Sequence, residues 1–221
     1  MSTESFHLDA DQIYKHINFA GLINALALMH REPPADLRDL LLEQQGETEK
    51  NYCLIRAAWQ KGSGLGVKIA SVFPDNKAID LPAIHAAYVL FDGKTGVPTR
   101  SIDGTALTYL KTAADSALGS RLLSREDSET LLMIGAGPIA SALVDAHLHV
   151  RPNLKRILLW NRTEARLKGI CQRLHDLGYK VEIITDLNAG VAQADVISSA
   201  TASCNSLIFG EYVRPGCHVD L

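Results

Sequence analysis

The chain has no CxxC pair, no basic run and no long apolar stretch, and each absence removes a class of function. Its four cysteines (Cys53, Cys171, Cys204 and Cys217) are scattered over 221 residues without zinc-type spacing. They are expected to be core or surface thiols in a reducing, cytoplasmic setting, with no metal. Lysine and arginine number 22 against 25 acidic residues, a formal net charge of -3, so nothing points to nucleic acid. No apolar segment approaches the roughly 18 residues that span a bilayer, so no membrane partner is expected. Met1–Ser5 lacks the basic-then-apolar order of a signal peptide. Internal repeats and low-complexity segments are absent too. What is present is 47% hydrophobic and 21% charged residues, a composition for a packed core in one large domain or two small ones.

The most informative stretch runs from Thr130 to Thr163. Thr130–Ile134 is a short apolar run without alternation, as in a central parallel strand buried on both faces. The turn Gly135-Ala136-Gly137-Pro138-Ile139-Ala140 follows. Gly135 permits a tight turn, Gly137 lets a pyrophosphate approach the backbone, and Ala140 allows close packing of helix on strand. A helix over Pro138–Val150 then points its N-terminal N–H groups at phosphates, and Pro138 suits its first turn. A second strand, Arg156–Trp160, ends in Asn161-Arg162-Thr163, with Arg166 one turn on. Enzymes that prefer NAD place an acid near here for the ribose 2′-hydroxyl. This chain has guanidinium groups instead, which pair with a 2′-phosphate, and Asn161 and Thr163 add neutral hydrogen bonds. The pattern therefore predicts a bound dinucleotide, with NADP favoured over NAD.

Elsewhere the pattern predicts a helix capped by Asp9 or Asp11, an amphipathic helix over Phe19–His30, and further helix over Leu37–Gln44. Strands are expected at Cys53–Trp59, Gly66–Phe73, Ala86–Phe91 and Val97–Ile102, the last two joined by the turn Asp92-Gly93-Lys94-Thr95-Gly96. A long helix covers Leu107–Leu123, and Ser124–Glu129 links to the dinucleotide unit. After Trp160 come a helix (Glu164–Leu177), a strand (Lys180–Ile184), a short helix (Leu187–Gln193) and a strand (Asp195–Ala200). Thr201-Ala202-Ser203 sits at that strand's C-terminal end, where open α/β sheets bind ligands. The fold class is α/β: an α+β domain over residues 1–129 and a Rossmann-type domain over 130–221. The chain ends in what reads as the middle of a strand, and a truncated natural product is expected on that ground.

Several short motifs then occur in one order: Gly66-Val67-Lys68-Ile69, Phe73-Pro74-Asp75-Asn76, Asp92-Gly93-Lys94-Thr95-Gly96-Val97-Pro98, Thr108-Tyr109-Leu110-Lys111-Thr112-Ala113-Ala114, the glycine turn, Trp160-Asn161-Arg162, Ala194-Asp195-Val196-Ile197 and Pro215-Gly216-Cys217-His218-Val219-Asp220-Leu221. From about Leu54 onward this series resembles the ornithine cyclodeaminase/mu-crystallin family. The ending resembles the branch of ketimine and delta-1-pyrroline-2-carboxylate reductases. The resemblance implies a homodimer built through the N-terminal domain, a Rossmann domain holding NAD(P), and hydride chemistry on the imine of an amino acid. It implies reduction of a small cyclic imino acid, with ornithine cyclodeaminase or a non-catalytic NADPH-binding protein as alternatives.

Such a substrate needs a cation for its carboxylate, a donor for its imine and a nearby nicotinamide. Lys68 matches the family's substrate lysine and lies on an otherwise apolar strand, where it binds the carboxylate or serves as proton donor. Lys111 stands where the family carries Arg, keeping the charge without the bidentate fork. His85 lies near the family's polar substrate contacts, and Arg38 or Arg56 supplies a further cation. Thr201 and Ser203 are expected at the cofactor. The cyclodeaminases rely on an aspartate just beyond this chain's last strand, a position that Asp220 precedes.

Overall fold

The computed structural model describes residues 6–201 and 203–221. The absence of a signal pattern at Met1–Ser5 and the middle residue of Thr201-Ala202-Ser203 therefore lie outside the described residues. In chain order the elements are β1 (His7–Leu8), α1 (Ala10–His16), α2 (Phe19–Met29), β2 (Asp36–Gln45), β3 (Lys50–Gln60), β4 (Gly64–Val72), β5 (Ile84–Asp92), β6 (Pro98–Asp103) and α3 (Gly104–Leu123). They continue with β7 (Thr130–Ile134), α4 (Pro138–Val150), β8 (Arg156–Trp160), α5 (Lys168–Asp176), β9 (Lys180–Ile183), α6 (Leu187–Val191), β10 (Val196–Ser199) and β11 (His218–Asp220). Single 3-10 turns occupy Pro74–Ile79, Glu164–Leu167 and Gly210–Tyr212.

Two compact units result. The first holds the chain up to Asn18 and Leu28–Thr108; the second holds Phe19–Ala27 and Tyr109–Leu221. The sequence pattern places its division at 129/130 instead. The difference has a physical cause. Ala113, Ala114 and Ala117 of α3 and Ile23 of α2 are fully buried in one apolar cluster with Leu131 and Met133 of β7, so packing assigns these helical segments to the second unit.

The first unit is a six-stranded sheet in the order β1-β6-β5-β4-β3-β2. Strands β2 to β6 form an antiparallel meander and β1 adds in parallel to β6. The predicted Leu37–Gln44 helix is corrected to a strand. Its residues pair with β3 without interruption from Asp36↔Trp59 to Gln45↔Lys50, and this ladder overrides the helix-forming character of Leu, Glu and Gln. The Asp92 hairpin forms as expected: its carboxylate accepts from the N–H groups of Lys94 and Thr95, and Gly96 takes φ +72°. Asp9, rather than Asp11, caps α1 through a capping box with Gln12.

The second unit is a five-stranded parallel sheet in the order β11-β10-β7-β8-β9. β7 is buried along its whole length. Its alternate residues serve two cores. Leu131 and Met133 join Ile157, Leu159 and Val196 under α2 to α5, while Leu132 and Ile134 join Leu158, Ile197 and Val191 on the other face. Burial on both faces is why the run reads as uniformly apolar. The architecture is the doubly wound, Rossmann-type α/β arrangement.

Candidate functional site

In the second unit the middle strand, β7, has β8 and β10 as its two neighbours. All three run parallel, so the loops that follow them leave the same edge of the sheet. Those loops and the first turns that follow them carry every residue expected at the cofactor: Gly135, Gly137, Pro138 and Ile139 after β7, the last two opening α4; Asn161, Arg162, Thr163 and Arg166 after β8, the last in the 3-10 turn; Thr201 and Ser203 after β10. The structure thus brings the three groups to one end of the sheet.

The two glycines at this end do different things. Gly135 takes φ +130°, and a Cβ there would come within 2.5 Å of the Ala200 carbonyl oxygen. Its N–H donates to the Trp160 carbonyl at 2.9 Å, and Ala200 N–H donates to Ile134. The turn is therefore locked between the ends of β8 and β10. Gly137 is the N-cap of α4, with ordinary extended φ and no side-chain capping bond. A Cβ there would meet no heavy atom within 4 Å. Open space thus lies at the start of a 13-residue helix whose first-turn donors lack a side-chain partner, which fits a phosphate group.

After β8, Asn161 Nδ2 donates to the Thr163 carbonyl at 2.8 Å, shaping the loop. Arg162 and Arg166 are exposed, and neither guanidinium has an ion-pair partner among the described residues. After β10, Ser203 Oγ donates to the Asn205 carbonyl at 2.9 Å.

The opposite end of the strands is stapled by Asp195, which is 4% exposed. One carboxylate oxygen accepts from the N–H groups of Glu129 and Thr130 at 2.9 and 3.0 Å; the other binds Arg125 at 2.6 Å and also Arg214. Burial pushes this carboxyl up, but the backbone donors and the two arginines outweigh it and leave the pKa lowered. Asp220 is bound into the same unit by Ser198, whose hydroxyl donates at 2.7 Å, and by His147 Nε2 at 3.3 Å.

In the first unit Lys68 lies on β4, directly across from Tyr88 on β5 and from Arg56 on β3. His85 pairs with Ser71. Ser71 is an odd number of residues from Lys68, so His85 projects from the opposite face of the sheet. The structure does not bring His85 and Lys68 together. The same parity argument separates the two arginines left open by the sequence. Arg38 pairs with Ala57 and falls on the face away from Lys68, whereas Arg56 falls on its face. Arg56 makes a bidentate fork to Asp39, with Nε to Oδ1 at 2.8 Å and Nη2 to Oδ2 at 2.6 Å. That fork raises the Arg56 pKa and holds Asp39 below the usual carboxylate range. The Tyr88 ring is laid over Gly66, where a methyl would overlap the phenol, and burial raises the Tyr88 pKa. Lys111 belongs to the second unit, on α3, where its ammonium is ion-paired with Asp115 one turn on. Among the described residues no cluster of His, Cys, Asp or Glu could hold a metal. All four cysteines are free.

Sequence reasoning underweighted Asp39 and Arg56. Their proximity to Lys68 depends on strand register, and the misassigned helix over Leu37–Gln44 concealed it.

Residues 47–221 match the model of the ornithine cyclodeaminase/mu-crystallin family. The chain is similar to the Delta(1)-pyrroline-2-carboxylate reductase of Paracoccus denitrificans, with 38% identity over 93% of this chain and 64% of that protein. It therefore spans less than two thirds of that relative's length. Among solved structures it superposes on a lysine cyclodeaminase with a TM-score of 0.84 and 28% identity, covering 98% of this chain and 67% of that one. The Thermococcus litoralis Delta(1)-pyrroline-2-carboxylate reductase, solved with NADH and L-proline, gives a TM-score of 0.84 over 97% of this chain and 68% of that one; at 24% identity it bears on the fold alone. No helix among the described residues is long and apolar enough to cross a membrane. With its family model matched over most of its length, this chain belongs to the ornithine cyclodeaminase/mu-crystallin family.

Proposed function

We propose that the protein reduces a small cyclic imino acid, delta-1-pyrroline-2-carboxylate or piperideine-2-carboxylate, to the L-amino acid with NADPH. The observation that carries this reading is the open N-terminus of α4 at Gly137, flanked by the loops of Arg162 and Thr201. In this assignment the second unit holds the dinucleotide. Gly135, Gly137, Pro138 and Ile139 frame its pyrophosphate, Thr201 and Ser203 line the loop after β10, and Asn161, Arg162, Thr163 and Arg166 receive a 2′-phosphate. When bound, the cofactor supplies the hydride. Exposed guanidinium groups where an NAD enzyme carries an acid favour NADPH over NADH.

The remaining chemistry belongs to side chains. Lys68 neutralises the substrate carboxylate or holds a proton at the imine nitrogen, and Lys111 supplies a second positive charge for the carboxylate. Asp115 balances Lys111 when no anion is present. His85 has no role in this reading, because it faces away from Lys68. The identity to the Paracoccus denitrificans reductase supports the C=N substrate.

The first unit is proposed as the dimerisation region. Leu37, Leu40, Leu41 and Leu42 of β2 and Trp59 of β3 are each about half exposed, a density of apolar surface that a homodimer would cover. The free thiols of Cys53, Cys171, Cys204 and Cys217 support a cytoplasmic enzyme of proline or pipecolate metabolism in this reading.

The test is NADPH oxidation, followed by nicotinamide absorbance, with each cyclic imino acid. Consumption of NADPH in preference to NADH is expected. Ammonia release from ornithine or lysine without NADPH consumption would replace this reading with cyclodeamination. Retention of NADPH with neither reaction would leave a binding protein.

A further inference from the structure

We propose that Tyr88 sets the ring size of the substrate: its phenol ring, seated on Gly66 beside Lys68, leaves room for the five-membered imino acid and shuts out the extra methylene of the six-membered one. The proposal rests on the imino-acid reading above and deepens it. Its basis is one face of the first unit's sheet. The register sets Asp39, Arg56, Lys68, Tyr88 and Ile102 in one row across β2 to β6. The row on one side is Leu37, Ala58, Gly66, Leu90 and Arg100; on the other it is Leu41, Leu54, Ala70 and Ala86. Arg56, Lys68 and Arg100 thus share this face, but positive charge attracts any small acid and cannot tell one ring from another. Tyr88 is the one aromatic group in the three rows, and shape can.

The position of that ring is fixed. A Cβ on Gly66 would overlap the phenol oxygen and lie 2.7 Å from Cζ, so the ring folds from β5 across onto β4. Gly66 is the single buried residue of β4, although it has no side chain of its own to bury; the ring is what covers it. The Tyr88 hydroxyl has no hydrogen bond among the described residues, so packing and not polar pairing holds the ring. Both β4 and β5 are paired on each side within the sheet, which keeps the two backbones in place. On the other side of Lys68 stand only methyl groups, Ala70 and, across from it, Ala86. Residues two apart along a strand are separated by roughly 7 Å. A substrate at Lys68 therefore meets a rigid aromatic wall toward Gly66 and a low alanine floor toward Ala70. A five-membered ring can lie on that floor, whereas the sixth atom of the larger ring meets the wall. One methylene against a packed apolar surface separates substrates by about tenfold or more.

The experiment compares kcat/KM for delta-1-pyrroline-2-carboxylate and piperideine-2-carboxylate, each with NADPH. The wild type is expected to prefer the five-membered acid. Tyr88→Val, a change that suits a strand and withdraws the ring, should raise the six-to-five ratio by about tenfold. Tyr88→Phe keeps the ring and should leave the ratio within about twofold of the wild type. Each ratio is internal to one variant, so a general loss of active protein cancels from it. Should the valine variant fail to fold, Tyr88→Leu carries the same expectation. A wild-type preference for the six-membered acid, an unchanged ratio in the valine or leucine variant, or an equal shift in Tyr88→Phe would overturn the proposal. If the wild type reduces neither acid, the imino-acid reading fails on its own. Calorimetric titration with pyrrole-2-carboxylate and pyridine-2-carboxylate then decides about the wall. The proposal stands only if the five-membered acid binds more tightly and Tyr88→Val narrows the gap, and it falls if neither acid binds or the gap is unmoved.

Discussion

The two sheets of this molecule treat apolar side chains in opposite ways. β7 in the second unit is buried at every position, whereas β2 in the first is exposed at every position although it carries four leucines. Among the described residues, Ile13 and Ala106 are the only buried apolar side chains of the first unit, while the second buries Leu131, Leu132, Met133, Ile134, Leu158 and many more. The second unit thus holds its fold by an interior of its own. The first holds its fold by long ladders and leaves apolar side chains exposed. The lesson is that equal hydrophobicity in sequence does not mean equal burial within a unit.

Substitutions sharpen this contrast. Leu158→Ala, in the inner core of the second unit, should cost about 2–5 kcal/mol in denaturant unfolding, because a fully buried side chain leaves a cavity. Asp195→Ala should cost about 3 kcal/mol, since it orphans two buried backbone donors and two arginines. Three paired carboxylates, Asp195 among them, give an acid signature. Glu182 is held at about 2, chiefly by its hydrogen bond from Arg156. Asp195 and Asp220 are also depressed, where hydrogen bonds and positive neighbours override burial. These groups bind fewer protons folded than unfolded between their two pKa values. The stability they contribute is therefore complete above the ordinary carboxylate range; for Glu182 it is lost as the pH falls from about 4.5 toward 2, and for Asp195 and Asp220 it is lost below the usual carboxylate range. Thermal melts across that range should show it, and a flat profile would remove these carboxylates from the account.

Smaller effects separate architecture from binding inside the glycine turn. Gly135→Ala should destabilise by about 1–3 kcal/mol through strain at positive φ and overlap with Ala200. Gly137→Ala should leave the melting temperature nearly unchanged yet weaken NADPH binding by about tenfold, because the methyl enters the open space before α4. Leu41→Ala on β2 should change unfolding by less than about 1 kcal/mol and instead shift the monomer–dimer balance in sedimentation.

The regions differed in legibility for the same reason that they differ in burial. The strand, turn, helix and strand from Thr130 to Trp160 could be read almost to the residue, because burial on both faces forces an unbroken apolar run and the turn chemistry marks its end. β2 could not. An edge strand exposed along its length is under no pressure to alternate, and Asp36–Gln45 has the composition of a helix. The candidate cofactor residues were visible because they sit next to one another in sequence or at strand ends. The Asp39, Arg56 and Lys68 row was not, because it exists only through the register of three strands. The resemblance put His85 near the family's polar substrate contacts, but strand parity turns it to the face opposite Lys68. The boundary at 129/130 followed the change in pattern, while packing follows the buried alanines of α3.

Phe19–Ala27 carries one more implication, about the order in which the molecule is assembled. This short stretch belongs to the second unit, with Ile23 1% exposed among the alanines of α3 and Asn24 accepting from Arg121 at 2.8 Å. The ribosome makes it before the entire meander and must then make that meander before its packing partners exist. Early in synthesis the segment is an orphan helix with no home, and the last unit to emerge cannot close its interior from its own contiguous stretch of chain. Gene fragments that begin at Tyr109 would inherit a vacant socket where Ile23 belongs, so the boundary for any excised version of this unit is set by a piece of sequence near the other end.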